Sequence, residues 1–221
     1  MSPDRARARA IGTLRESTLL LIPEGIEMPA TIPPPIFQAA LATFLDGRRL
    51  DMGALTSELS MGRATLYRRV GSRERLLGEV IWYLTRRAMV PALEETTRLH
   101  GAARVLTVAD RFMRFVHAQP ALRRLLEQEP EAALRILTSK HGPVQAGLVG
   151  LTERALAEET NRGRLALTMD PHTLAYLIVR IGESFLYADV IADNEPDLDL
   201  AVEIIGLLLR TADRSDGSRS L

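Results

Sequence analysis

From Pro34 onward, apolar residues recur at the three- and four-residue spacing of a helix face. Ile36, Phe37, Ala40, Leu41, Phe44 and Leu45 form a first stripe, closed by Asp46 and Gly47. A shorter segment follows, with Asp51 as N-cap and Met52, Leu55 and Leu59 at i, i+3 and i+7, until Ser60, Met61 and Gly62 interrupt it. Arg63 to Arg69 reads as a third helix ended by Val70 and Gly71. Ser72 is placed to cap a fourth, which carries Leu76, Leu77, Val80, Ile81 and Leu84 on one face and runs to Pro91 or beyond.

The same periodicity predicts helices over Val105 to Val116, Pro120 to Gln128, Pro130 to Thr138 and Pro143 to about Arg162. Pro171, behind the N-cap residue Asp170, opens a helix to about Ala192, and Leu198 to Thr211 forms the last. No stretch alternates with the period of two that a half-buried strand requires. The expectation is an all-α chain in four parts. Residues 1–33 are an arm of uncertain fold, 34–80 a three-helix unit, 81–211 a larger helical unit, and 212–221 a frayed tail.

Composition fits a folded soluble protein, with 46% apolar and 25% charged residues. There is no cysteine, which excludes disulfides and thiolate zinc sites and suits a reducing compartment. No uninterrupted apolar run, Leu19 to Ile22 among them, approaches the ~20 residues of a membrane span, so no membrane partner and a cytoplasmic setting are expected. The 28 basic and 28 acidic residues cancel overall but not locally. Residues 1–90 hold 13 arginines against nine acidic residues, a net +4, and residues 91–221 carry the compensating −4. Arg5, Arg7 and Arg9 fit either a solvated tail or an arm that reaches a minor groove.

Two short helices joined by a tight turn, the second followed by arginines, match the helix-turn-helix arrangement, whose second helix enters the DNA major groove. At ~100° per residue, Leu66 and Val70 share a face that packs on Leu55, Leu59 and Phe44, and Ala64 and Arg68 point the other way. Thr65 and Tyr67 flank this outer ridge. Arg68 suits a bidentate contact to guanine, Ala64 or the Thr65 methyl a thymine methyl, and Tyr67 a phosphate. Arg63 and Arg73, at the starts of two helices, suit further phosphate contacts. Such a pair can also be plain core packing, and generic spacing alone does not separate the two.

The run from Leu50 to Leu77 resembles the signature of TetR-family transcriptional regulators. In that family an Ala-Thr-Leu-Tyr recognition helix, here Ala64 to Tyr67, precedes a Ser-Lys-Glu-type start to the fourth helix, here Ser72, Arg73 and Glu74. The run from Arg63 to Arg75 is similar to that of the QsdR-like subgroup. Three positions depart from the usual pattern: Thr56 for a small Ala, Ser60 for the turn Gly, and Gly62 for the capping Ser. Ser60 lacks glycine's tolerance of positive φ. The resemblance implies a homodimer formed through the last two long helices, a palindromic operator with half-sites about 34 Å apart or a multiple of it, and a small-molecule effector.

The predicted helix from Pro171 is apolar on most of its circumference, through Leu174, Leu177, Ile178, Ile181 and Phe185 on one side and Ala175, Val179, Leu186 and Val190 on another. Such a helix forms a monomer core, a dimer interface, or both. Glu183 sits within it, three residues after Arg180, where an unpaired charge is costly. The two either pair or meet a ligand. A largely apolar cavity between this helix and the two that start near Val105 and Pro143 is expected to be lined by Phe112, Phe115, His117, Val144, Leu148, Tyr176, Arg180 and Glu183, residues that also suit a plain core.

The four histidines are scattered without ligand spacing, and neither a nucleophile elbow nor a Gly-rich phosphate loop is found, so no cofactor, metal or catalytic residue is assigned. The reading is a homodimeric repressor released from double-stranded DNA by an effector, with the fourth helix as lever. The alternatives are an all-helical adaptor that does not bind DNA and a small helical enzyme.

Overall fold

The computed structural model describes residues 28–213. The arginines of the arm, Arg5, Arg7 and Arg9, and the tail from residue 214 lie outside the described residues. Within them the chain is all-helical, with a single isolated antiparallel bridge between Leu167 and Asp213. The helices are α1 (Pro34–Leu45), α2 (Met52–Glu58), α3 (Arg63–Val70), α4 (Arg73–Glu95), α5 (Gly101–His117), α6 (Pro120–Gln128), α7 (Pro130–Thr138), α8 (Pro143–Asn161), α9 (Pro171–Leu186), α10 (Ala188–Ala192) and α11 (Leu198–Ala212).

Local sequence sets most of these boundaries. Proline occupies the first turn of α1, α6, α7, α8 and α9, where its missing N–H would be unpaired anyway. Asp51, Ser72, Asp170 and Asp197 each accept a hydrogen bond from the backbone N–H three residues on, capping α2, α4, α9 and α11. Between α2 and α3 the Ser60 N–H bonds to the Ser57 carbonyl and the Met61 N–H to the Thr56 carbonyl, the paired bonds of a Schellman turn. That turn needs a left-handed residue, and Ser60 supplies it at φ 48°. The helix-turn-helix bend is therefore kept without glycine, at the cost of backbone strain.

α1, α2 and α3 enclose a small core with the start of α4. Phe37, Phe44, Leu55, Leu66 and Val70 are all buried in it, which places Leu66 and Val70 on the inner face of α3. α4 then continues into the larger unit, where it packs on α5, α7 and α8. The expected boundary between residues 80 and 81 thus falls inside one continuous helix. Trp82 of α4 lies directly on the backbone of Gly147 of α8, at a place where a Cβ would have no room. α9 packs on α8 and α11, and α11 on α5.

One expected helix is two. The segment from Pro171 to Ala192 breaks at Tyr187, whose backbone leaves helical geometry at φ −114° and ψ 21°. The Val190 and Ile191 N–H groups both converge on the Tyr187 carbonyl, and Arg123 holds Asp189 at 2.5 Å, so the chain turns around the buried tyrosine.

A buried acid closes the fold between α5 and α8. Glu159 is 1% exposed and accepts from the Gly101 N–H at 2.6 Å and from Arg104 at 2.8 Å. Burial raises its pKa, but the Gly101 N–H and Arg104 outweigh burial and hold the carboxyl below its usual range. Gly101 has φ 60°, and a Cβ there would stand 2.5 Å from the Arg164 carbonyl oxygen, so this corner requires glycine. Glu159→Ala, which strands the Gly101 N–H and leaves Arg104 only the longer contact to Glu158 at 3.4 Å, should lower unfolding free energy by about 3 kcal/mol in urea titrations. Ser60→Gly should act in the opposite direction, by a few tenths to about 1 kcal/mol in the same assay, because it relieves the left-handed strain.

Candidate nucleic-acid interface and effector cavity

α3 presents the outer ridge expected from its sequence. Arg63, Ala64, Arg68 and Arg69 are exposed, and Thr65 and Tyr67 are half-buried at its edges. The Arg63 guanidinium lies over the Tyr67 ring, 6.0 Å from its centroid, an arrangement that fixes both side chains. Among the described residues no acidic group pairs with Arg63, Arg68 or Arg69. Gly62 caps α3 without a side chain, so the first-turn N–H groups stay uncovered beside this cationic ridge.

Arg73 is used differently from the expected phosphate contact. Its Nε donates to the Leu50 carbonyl at 2.7 Å and its Nη2 to Glu129 at 2.6 Å, and its side chain is only 15% exposed. Glu129 lies in the junction between α6 and α7, and Arg49 approaches the same carboxylate at 3.5 Å. The guanidinium is therefore a tie between the helix-turn-helix unit and the larger unit. The sequence showed the charge at a helix start but not the acid 56 residues away.

A cavity of about 460 Å³ lies between α4, α5, α8 and α9, within the size range of small-molecule sites. Its wall is mostly apolar, and Leu41, Phe44 and Leu45 of α1 contribute to it, so it reaches the helix-turn-helix unit directly. Five of the expected residues line it: Phe112, Phe115, Val144, Leu148 and Glu183. Phe115 is also 43% exposed and stands at the rim.

Three expected lining residues lie elsewhere. Tyr176 is 47% exposed on the outer face of α9, and Arg180, one turn on, is exposed on the same face. A helix apolar on several sides does not reveal which side faces inward, and that ambiguity misplaced both. His117, at the C-terminal end of α5, is outside the cavity wall.

The wall also holds polar residues outside the expected set, Tyr83, Thr85 and Arg87 of α4 together with Gln119, Thr152 and Tyr187. Tyr83 and Arg87 are buried, and Arg87 donates through Nη1 to the Tyr83 hydroxyl and lies over its ring at 5.0 Å. The signal was present: Leu76, Val80, Tyr83 and Arg87 follow one helix face at steps of four, three and four, so Arg87 interrupts an apolar stripe. Glu183 was found by that same reasoning. Among the described residues no group of histidines and carboxylates is arranged to hold a metal.

Glu183 accepts from Arg180 at 2.6 Å through one carboxylate oxygen, and its other oxygen is buried without a partner. Burial pushes its carboxyl up to about 7 despite the attraction of Arg180. Burial and Glu183 also push the neighbouring Tyr187 phenol up. A carboxyl whose folded-state pKa exceeds its unfolded value contributes stability that is full below about 4.5 and lost as pH rises through about 7. Glu183→Gln should match the wild type in thermal melts near pH 5 and exceed it near pH 8, by on the order of 1 to 2 kcal/mol once solvent screening of the half-exposed Arg180 is allowed for.

Comparison with known proteins places this geometry. Residues 100–210 match the family model described as the tetracyclin repressor-like C-terminal domain. Among solved structures, the transcriptional repressor QsdR of R. erythropolis, from the TetR family, is 31% identical, with 81% of this chain and 94% of that one covered at a TM-score of 0.74. The TetR family repressor AlkX from Dietzia sp. strain DQ12-45-1b, implicated in biodegradation of n-alkanes, shares the fold at 22% identity and a TM-score of 0.57, with 83% of this chain and 99% of that one covered. No curated protein sequence matches. With its matching C-terminal domain and its likeness to QsdR over most of both chains, this chain belongs to the TetR family of transcriptional repressors.

Proposed function

We propose that this repressor works as a homodimer, holds a palindromic operator through α3 of each protomer, and is released when a small, largely apolar molecule fills the cavity. The observation that carries the reading is the shared wall: α1 of the helix-turn-helix unit and α4, α5, α8 and α9 of the larger unit line the same space. An occupant that favours one setting of α1 and α4 over another biases the separation of the two recognition helices. DNA then weakens the occupant's binding by the same factor.

The DNA-facing roles rest on the exposed ridge of α3. Arg68 reads a guanine, Ala64 and Thr65 meet a thymine methyl, and Tyr67 and Arg63 hold phosphates. The dimer reading rests on α9 and α11, where Tyr176, Leu200 and Leu207 are large apolar residues left 41% to 52% exposed. Pairing these faces across a two-fold axis covers them and sets two recognition helices on one side of a duplex.

Fluorescence anisotropy against DNA from beside the gene and against a scrambled duplex tests the reading. Nanomolar binding that favours the native fragment and falls linearly with the logarithm of salt concentration is expected. Arg68→Ala should cost about 1 to 3 kcal/mol on the operator and much less on scrambled DNA. Equal losses on both would remove its base-reading role, and no binding at low salt would leave the adaptor reading in place.

A further inference from the structure

The cavity has an unusual wall. It is apolar over most of its area, yet an arginine is built into it, 7% exposed and without a carboxylate partner. Arg87 spends Nη1 on the Tyr83 hydroxyl. Its Nε and Nη2 are buried and have no hydrogen-bond partner. These two atoms form one edge of the guanidinium, the fork that receives both oxygens of a carboxylate in parallel. A buried cation left in this state is costly, because it has lost water and gained only one bond and one ring contact.

The same helix supplies a second irregularity next to it. Pro91 sits inside α4 and lines the cavity, and it has no N–H to donate to the carbonyl of Arg87. Most other wall residues, including Val105, Val108, Phe112, Val144 and Leu148, offer no polar side-chain group, and Thr85, Gln119, Thr152 and Tyr187 add only neutral ones. Glu183, on the α9 side, is the one acid of the wall: it is already held by Arg180, and burial leaves its carboxyl only partly ionised near pH 7. Of the two wall residues that carry charge near neutral pH, Arg87 and Glu183, Arg87 is the one whose charge persists and whose donors are unmet.

We infer that the cavity takes an amphipathic monocarboxylate, its carboxylate on the free edge of Arg87 and its apolar part along the wall formed by α5 and α8. This inference rests on the effector reading above and names its ligand class. At roughly 30 Å³ for each small group, 460 Å³ accommodates on the order of ten to fifteen non-hydrogen atoms. A ten-carbon acid, with twelve such atoms, is therefore the natural probe.

The test is isothermal titration calorimetry of the full chain, without DNA, against decanoate, methyl decanoate and decylamine. Decanoate should bind the wild type at least tenfold more tightly than the neutral ester, and decylamine should not bind. Arg87→Met should remove most of the preference for decanoate over the ester, with circular dichroism confirming that the variant is folded. A wild type that prefers the ester or the amine, or that binds none of the three, overturns the inference without any variant. A folded Arg87→Met that keeps the full preference for decanoate also overturns it. Release of operator DNA is measured separately by anisotropy. Decanoate binding that leaves DNA affinity unchanged supports the ligand class and defeats the release mechanism, so the two readings fail independently.

Discussion

The edge of the Tyr83 ring meets Phe37 at a centroid distance of 5.2 Å and an interplanar angle of 81°, and the structure is organised around that contact. Phe37 is the fully buried centre of the first helix of the DNA-binding unit. Tyr83 belongs to α4, and its hydroxyl receives Arg87 in the cavity wall. The core of one unit and the cation of the other are therefore two contacts apart. Aromatic pairs of this geometry prefer discrete arrangements, and close-packed cores resist gradual deformation, so under the proposed mechanism a change in Arg87 would reach α1 as a choice between packings.

A second tie runs parallel to the first. Arg73, at the start of α4, is bound to the α1–α2 loop through the Leu50 carbonyl and to the α6–α7 junction through Glu129. α4 is thus gripped at its N-terminal end by an ion pair and near its middle by an aromatic contact and the Trp82–Gly147 approach. A helix fixed at these points moves as one body. In the proposed mechanism that rigidity would link cavity and recognition helix across about four helical turns of α4 without a contact between them.

The helices and the recognition ridge were legible in the sequence because local rules decide them. Proline and Asp or Ser caps marked the helix starts, and the period of the apolar residues placed Leu66 and Val70 inward and Arg68 outward. Ser60 shows where a local rule gave way: the turn required positive φ, and two backbone hydrogen bonds impose it on a residue that resists it. What was not legible depends on neighbours distant in the chain. Arg73 read as a surface cation because Glu129 is far along the sequence. Tyr176 and Arg180 read as cavity residues because α9 is apolar around much of its circumference, and only the packing of α8 and α11 against it decides which face is inside. Tyr187 leaves helical geometry next to Asp189, which Arg123 holds, a pairing that no periodicity contains.

The misplaced Arg180 still bears on the mechanism. It lies on the outer face of α9 beside Tyr176, and through Nη1 it holds Glu183, which lies in the cavity wall on the inner face. One ion pair therefore passes from the inside of the helix to the face proposed to meet the second protomer. Because Glu183 titrates near neutrality and keeps one oxygen unbonded, a ligand that supplies a hydrogen bond to that oxygen also changes what holds Arg180 in place. Two chains of contact thus lead away from the cavity, one through Tyr83 to Phe37 of the α1–α3 core and one through Glu183 to Arg180 on the outer face of α9. In the release mechanism proposed above, a shift within each protomer and a change in the separation between protomers would act together, and the wall residues lie next to the contacts through which each would pass.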